Sequence, residues 1–426
     1  MTIFREFKQE LSLKKLSINT LDKLFLNICL ILLLLVAIFL PDGIKKAICI
    51  YKMDTANLPI NNLYYYYFTI ADLLIVLIGI VLFRKTKVVN FYLVSFLIFV
   101  INCVYSINNP ENIFSLKGFE TLLMALEGVS ICSIIFYLIK DEKNLFVFFN
   151  TFILFLFLTQ ILMLLIGRSS SEGRVGSLAI GSGATAQLYF VYLLWYVFSA
   201  KGKRSLFFPL FASVGMVLTG SRTNILMLGL SLVAFIFPLL RKAKEDGMLS
   251  KLIKVFIIGA VGVIVLFALS DTNEMINRVV SLFKDNDLID NITSDSSYLG
   301  RIKSINAGFE ILKNHPHGIA CSIYDIEYKT CEICGMEYPH STLQCYFLMF
   351  SPMIMTLILI FVLYYVVRLF LIKDRTWVVL VILILHSIFY GSPILHTSDF
   401  MLYFIIYSIA KYRVASFKMQ RGVIVK

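Results

Sequence analysis

NLFVFFNTFILFLFLTQILMLLI, residues 144 to 166, carries no charged side chain. A helix needs about 20 residues to cross the hydrocarbon core of a bilayer, and this stretch is long enough. It therefore predicts a membrane-spanning helix. Similar apolar runs lie near 22–40, 66–83, 88–106, 120–139, 185–200, 205–220, 222–240, 252–270, 342–367, 376–392 and 398–412, separated by short charged clusters. The 426-residue chain is 59% hydrophobic and 15% charged, with a mean hydropathy of +0.83, a balance that soluble cores do not explain. The expected fold is all-α, a polytopic membrane helix bundle of about 12 transmembrane helices.

In a soluble protein a net charge of +12 would suggest nucleic acid as a partner; here the basic residues follow the membrane. With the N-terminus inside, 26 of the 39 lysines and arginines fall on inner segments, among them Lys14, Lys15, Arg84, Lys85, Arg241, Lys242, Arg368 and Arg413. Short outer loops hold only 7 of the rest, so the positive-inside bias places both termini in the cytoplasm. The first apolar run leads into LPDG without a small-residue cleavage pattern, which reads as an uncleaved first helix.

Three divisions follow: residues 1–270 with helices one to nine, an outer loop at 271–341, and residues 342–426 with helices ten to twelve and a cytoplasmic tail. Loops as long as 271–341 usually carry function. Within it, DTNEMINRVVSLFK (271–284) has the spacing of an interfacial helix. RIKSINAGFEILKN (301–314) repeats Ile302, Ile305, Phe309 and Leu312 on one face and stops at HPHG, which predicts a lid or platform over the outer mouth of the bundle. A Gly- and Ser-rich outer loop occupies 167–184, as befits backbone outside lipid or lining a cavity.

On this topology Arg174, Arg222, Arg301, Lys303 and His340 all fall on the outer face, though far apart in sequence. Arg222 stands in a tight turn where Gly220, Ser221 and Thr223 can cap a helix and leave backbone N–H groups for an anion. A guanidinium matches phosphate oxygens bidentately, whereas an ammonium acts as a point charge. His340, directly before the tenth helix, has the chemistry to take a proton from a sugar hydroxyl, and a helix start disfavours its charged form. Taken singly, Arg222 also reads as an interfacial anchor and His340 as a packing histidine; their convergence favours a site.

Two acids lie within apolar runs, Asp72 and Glu127, and are candidates for neutralising the arginines, orienting substrate or relaying protons, against a structural ion pair. Cys29, Cys103, Cys132 and Cys345 read as packing residues. Cys321, Cys331 and Cys334 share the outer loop, where a bridge from Cys321 to Cys331 or Cys334 is expected in an oxidising compartment, with Cys49 as another partner. CEIC lacks a second close pair, so no metal site is expected.

Three stretches in order, TGSRTNIL (219–226), LGRIKSINAGFEILKNHPHGIA (299–320) and PHSTLQ (339–344), together with the large loop before helix ten, give a chain that resembles the bacterial O-antigen polymerase and O-antigen ligase superfamily. The resemblance implies an enzyme that takes a glycan from undecaprenyl pyrophosphate and makes a glycosidic bond without metal or other cofactor, on the periplasmic face of the inner membrane. It implies Arg222, Arg301 and His340 as catalytic residues; beside them, sidedness, the helix-capping turn and the two acids within apolar runs make Arg174, Lys303, Ser221, Thr223, Glu127 and Asp72 the candidates for contact with the substrate. The chain departs from the family pattern at HPHGIAC, which lacks a second glycine, and at His340–Ser341, where His-Asn is usual. The expected activity is polymerisation of lipid-linked repeat units; the alternatives are ligation to lipid A–core and, from another class, a twelve-helix flippase or transporter using Asp72 and Glu127. The implied partners are the lipid-linked oligosaccharide, membrane lipid, a chain-length regulator and a flippase, with no nucleic acid.

Overall fold

The structure is a computed structural model that describes residues 25–37, 39–40, 42–52, 67–86, 126–128, 130–131, 133–135, 137–138, 142–167, 174–178, 181–199, 207–234, 296–316, 318, 323–336, 339–350, 352–389, 406–407 and 409–417. Predicted segments 88–106 and 252–270 and the interfacial helix 271–284 lie outside them.

The described residues are mostly helical. The exception corrects the all-α expectation: β1 (Cys49–Lys52) pairs antiparallel with β2 (Tyr67–Thr69), Cys49 opposite Thr69 and Lys52 opposite Tyr67. Aromatic and β-branched side chains favour a pleated strand, so the segment at 66–83 opens as a strand and turns helical only at α1 (Ile70–Thr86). Asp72 makes that change of conformation. Its Oδ2 accepts from Thr69 N at 2.7 Å and from Thr69 Oγ1 at 2.8 Å, while Asp72 N donates back to Thr69 Oγ1 at 3.4 Å. This is a reciprocal capping box, and the carboxylate also meets the positive end of the helix dipole. The acid expected near substrate is thus committed to starting α1. Asp72→Ala is expected to cost about 1 kcal/mol, read as a lowered melting temperature of the detergent-solubilised protein; unchanged melting would contradict the capping role.

α2 (Glu142–Leu165) takes in residues 144–165 of the apolar stretch at 144–166, and its Phe146–Leu165 portion is the one helix among the described residues that is long and apolar enough to cross a membrane. Other apolar helices, such as Phe25–Ala37 and Phe207–Leu218, are shorter. One face of α2 is buried through Phe148, Phe149, Phe152, Ile153 and Leu156, yet Phe155, Leu158, Leu162 and Leu165 are exposed. A helix that is apolar all round and only half covered suits lipid on its open side.

The centre of the bundle is α3 (Ser182–Leu194), continued by a π-helical turn at Trp195–Ser199; Leu188 to Leu194 and Trp195 are all buried. α4 (Phe207–Leu218) lies against it at Gly215, where an added Cβ would come within 2.4 Å of the Tyr189 ring. Gln160 of α2 locks the contact: its Nε2 donates to Gly215 O at 3.0 Å and Val175 O at 2.9 Å, and its Oε1 accepts from Tyr189 OH at 3.0 Å. A buried amide is tolerated because both of its ends are bonded.

α5 (Arg222–Ala234) follows, and the segment at 271–341 contributes α6 (Ser296–Asn314) and α7 (Ile323–Cys334), the second of which the sequence reading does not predict. The predicted span 342–367 is divided into α8 (Thr342–Phe350) and α9 (Pro352–Leu371), with proline at a helix start where its missing N–H costs least. α10 (Thr376–Phe389) follows α9 after a short turn.

The packed face of α6 is not the predicted one. Ser304, Ala307, Gly308 and Ile311 are buried, while Ile302 and Phe309 are exposed. Small residues win because α8 comes very close: a Cβ on Gly308 would meet Gln344 Oε1 at 2.4 Å. At the start of α10, Arg413 Nη1 donates to Asp374 Oδ1 at 2.9 Å, Thr376 Oγ1 at 2.6 Å and Ser199 Oγ at 3.0 Å. This buried ion pair joins the end of the π turn to helical residues 409–417. His386 lies ten residues along α10 from Thr376, about 15 Å away by helical rise. The two polar clusters therefore occupy opposite ends of that helix.

Candidate functional site

The site is built on the turn between α4 and α5. Gly220 there has φ +62°, a left-handed conformation that glycine adopts without steric cost. Thr219 stabilises the turn by donating to Met216 O at 2.6 Å and accepting from Ser221 N at 3.3 Å. Ser221 O then accepts the first bond of the new helix, from Ile225 N at 3.2 Å, which makes Ser221 the N-cap. Arg222 and Thr223 are the first two helical residues; the Arg222 N–H donates back to Gly220 O at 3.1 Å, and the next first-turn N–H groups have no acceptor within the helix. An anion meets both the dipole and those donors at such a helix start.

Arg301 reaches this turn from α6. Its Nη1 donates to Thr223 Oγ1 across 78 residues of sequence, in a short hydrogen bond. One turn further along α6, Ser304 Oγ donates to Arg301 O at 2.8 Å and accepts from His340 N at 3.1 Å. His340 is thus tied by its backbone to the helix that carries Arg301. Ser341 caps α8, its O accepting from Cys345 N at 3.0 Å and its Oγ from Gln344 N at 3.3 Å; that Oγ donates in turn to Ser387 O at 3.3 Å. Gln344 Nε2 donates to Ile305 O at 2.9 Å. Three motifs far apart in sequence are therefore sewn together.

Burial first, and then the nearby Arg301 guanidinium, lower the His340 pKa to about 4. The ring is neutral at physiological pH and has a lone pair with which to accept a proton. The arrangement thus combines fork-shaped cationic donors at a helix start with an uncharged imidazole, a set suited to holding an oxyanion beside a hydroxyl that must lose its proton.

The remaining sequence-predicted residues divide. Arg174 is half-buried and belongs to the same end of the bundle, because Val175 N donates to Leu218 O at 3.2 Å, close to the Arg222 turn. Lys303 is exposed, about 160° round α6 from Arg301, so the helix carries it away from the arginine's face rather than to the site. Glu127 is buried three residues before Ser130, at the seam where Gly79 of α1 approaches within 2.5 Å of Ser130 Cα if given a Cβ. Cys331 and Cys334 are thiols one turn apart on α7, with Cys334 Sγ turned onto Thr330 O at 3.2 Å. Both thiols are free, and Cys321, the other half of the expected bridge, lies outside the described residues. Among the described residues no three His, Cys, Asp or Glu side chains group as metal ligands.

Sequence reasoning missed Asn224, Ser304, Gln344 and His386. His386 is fully buried, its ring stacked on Phe190 at 4.7 Å between centroids, and its Nε2 lies 2.9 Å from Asn224 Oδ1. A histidine inside an apolar run is a candidate on chemistry alone, but its partner stands 162 residues away.

Residues 207–348 match the protein-family model described as O-Antigen ligase, a span from the first residue of α4 into α8 that holds Arg222, Arg301 and His340. No curated protein matches the chain.

Proposed function

We propose, for a chain whose residues 207–348 form a domain of the O-antigen ligase family, an integral membrane glycosyltransferase of surface-polysaccharide synthesis. It acts on the outer face of a bacterial inner membrane with both termini in the cytoplasm. Its donor is a glycan on undecaprenyl pyrophosphate and its acceptor the end of another lipid-linked repeat unit, which makes it a polymerase. The observation that carries this reading is the Arg301–Thr223 bond: it brings the arginine of the loop helix to the helix start that bears Arg222, while Ser304 ties His340 to the same helix.

The chemistry follows from those groups. The acceptor hydroxyl oxygen attacks C1 of the donor sugar, and its proton passes to the neutral imidazole of His340. The bond from C1 to the diphosphate oxygen breaks, and its electron pair leaves with the diphosphate. Arg222 and Arg301 meet the charge that develops there, without a metal, and direct displacement inverts the anomeric centre. The lipid tail of the donor stays in the membrane, and a chain-length regulator and a flippase are the protein partners that such a reaction calls for.

Ligation of finished polymer to lipid A–core is the second reading, favoured by the description of the matching family model. A transporter is disfavoured by the commitment of Asp72 to the cap of α1, which removes one member of the proton relay. Purified protein given a single lipid-pyrophosphate repeat unit is expected to build a ladder of lengths on the carrier. Product formed only after addition of lipid A–core would make it a ligase.

A further inference from the structure

We propose that His386 and Asn224 form a positioning pair that sets the Ser221–Arg222–Thr223 turn in the shape that aims Arg222 and seats Arg301. The inference rests on the glycan transfer proposed above and adds two residues that do not themselves touch the reacting atoms.

Asn224 stands at the third position of α5 and uses both ends of its amide. Nδ2 donates to Ser221 Oγ at 2.9 Å, in the place where a capping side chain usually reaches back to the helix start. Oδ1 is therefore what faces His386 Nε2 at 2.9 Å, and the ring must carry its proton on Nε2 to complete the bond. The amide is buried and its orientation follows from these two partners.

His386 is in turn fixed by its setting. The ring is 0% exposed and stacks on Phe190 of the central helix α3, with 25° between the planes. The next residue, Ser387, accepts from Ser341 Oγ at 3.3 Å, one residue from His340. One turn of α10 therefore contacts both halves of the site, the Arg222 turn through Asn224 and the His340 segment through Ser341. The sequence Ser221, Arg222, Thr223, Asn224 places the two groups that meet the anion and Arg301 between the two that are bonded to each other. A shift of Asn224 moves the cap, and with it the hydroxyl to which Arg301 is bonded.

The test uses the full-length purified protein in the repeat-unit extension assay, with rates expressed per folded molecule. His386→Leu keeps the volume but removes the donor, and kcat is expected to fall on the order of 100-fold with KM changed only a few-fold, because a misplaced arginine weakens the transition state more than the ground state. His386→Gln restores an N–H and is expected to recover most of that loss. Asn224→Ala combined with His386→Leu should be little worse than either alone, since both break one chain of bonds. A His386→Leu protein with wild-type kcat per folded molecule, its defect confined to yield or melting temperature, would overturn the positioning role. So would failure of His386→Gln to improve on leucine. A wild-type protein that extends no glycan on either acceptor would instead overturn the enzymatic reading, so the two failures are distinguishable.

Discussion

Replacing Arg301 by lysine is expected to lower the rate of chain extension by about 10² to 10³-fold at matched protein levels, the range seen when one aimed donor to a developing oxyanion is removed. Lysine keeps the positive charge, so long-range attraction of an anionic donor survives. What it loses is the fork. Arg301 spends one N–H on Thr223 and needs others for phosphate oxygens, and a guanidinium has five to distribute in a fixed plane whereas an ammonium has three on a rotating tip. The same substitution at Arg222 is expected to have a comparable effect, because that side chain projects from the first residue of α5 beside the N–H groups of the helix start. In cells the readout is the ladder of polymer lengths, which should collapse to single repeat units. Wild-type ladders from Arg222→Lys and Arg301→Lys would show that charge without fork geometry suffices and would sink the bidentate assignment.

The second large effect belongs to His340. His340→Ala is expected to cost roughly 10² to 10⁴-fold in kcat, the usual worth of a positioned base. The pH profile tests the assignment further. In the free protein, burial and Arg301 lower the pKa to about 4. The active form is the neutral ring, so log kcat/KM should be flat through neutrality and fall only as the pH drops through about 4. Once a diphosphate is bound, its negative charge offsets Arg301, and the cationic imidazole becomes less costly. The break in kcat is therefore expected at a higher pH than the break in kcat/KM, and the stronger base is the one that operates on bound substrate. Coincident breaks in the two profiles would contradict the electrostatic coupling of His340 to Arg301.

The arginine and histidine motifs were legible because charged and titratable groups at the ends of apolar runs are few. Arg222 and His340 each stand at such an edge, and Arg301 opens an amphipathic segment in the long loop between two runs, on the same predicted side. Their supports were not legible in the same way. Asn224 is the third residue of the apolar run at 222–240 and His386 lies inside another run, and nothing local says that a separation of 162 residues is closed to 2.9 Å. The face of α6 was misjudged because periodicity weighs bulky residues, whereas the contact with α8 is set by Ser304, Ala307 and Gly308, which permit close approach. Two features were present and went unread: the Thr-x-x-Asp pattern that makes Asp72 a cap, and Pro352, which marks a new helix start within the segment at 342–367. The thiols of Cys331 and Cys334 are both free and lie on one helix, α7, a placement that spacing and compartment alone do not reveal.

The central claim, that two guanidiniums from distant segments hold one diphosphate beside a neutral imidazole, is tested most directly by an experimental structure of the protein with a lipid-pyrophosphate sugar bound in a membrane mimetic. The diphosphate oxygens should lie within hydrogen-bonding distance of both Arg222 and Arg301, with the His340 ring facing the sugar's C1. A diphosphate seated elsewhere, or in contact with neither arginine, would contradict it.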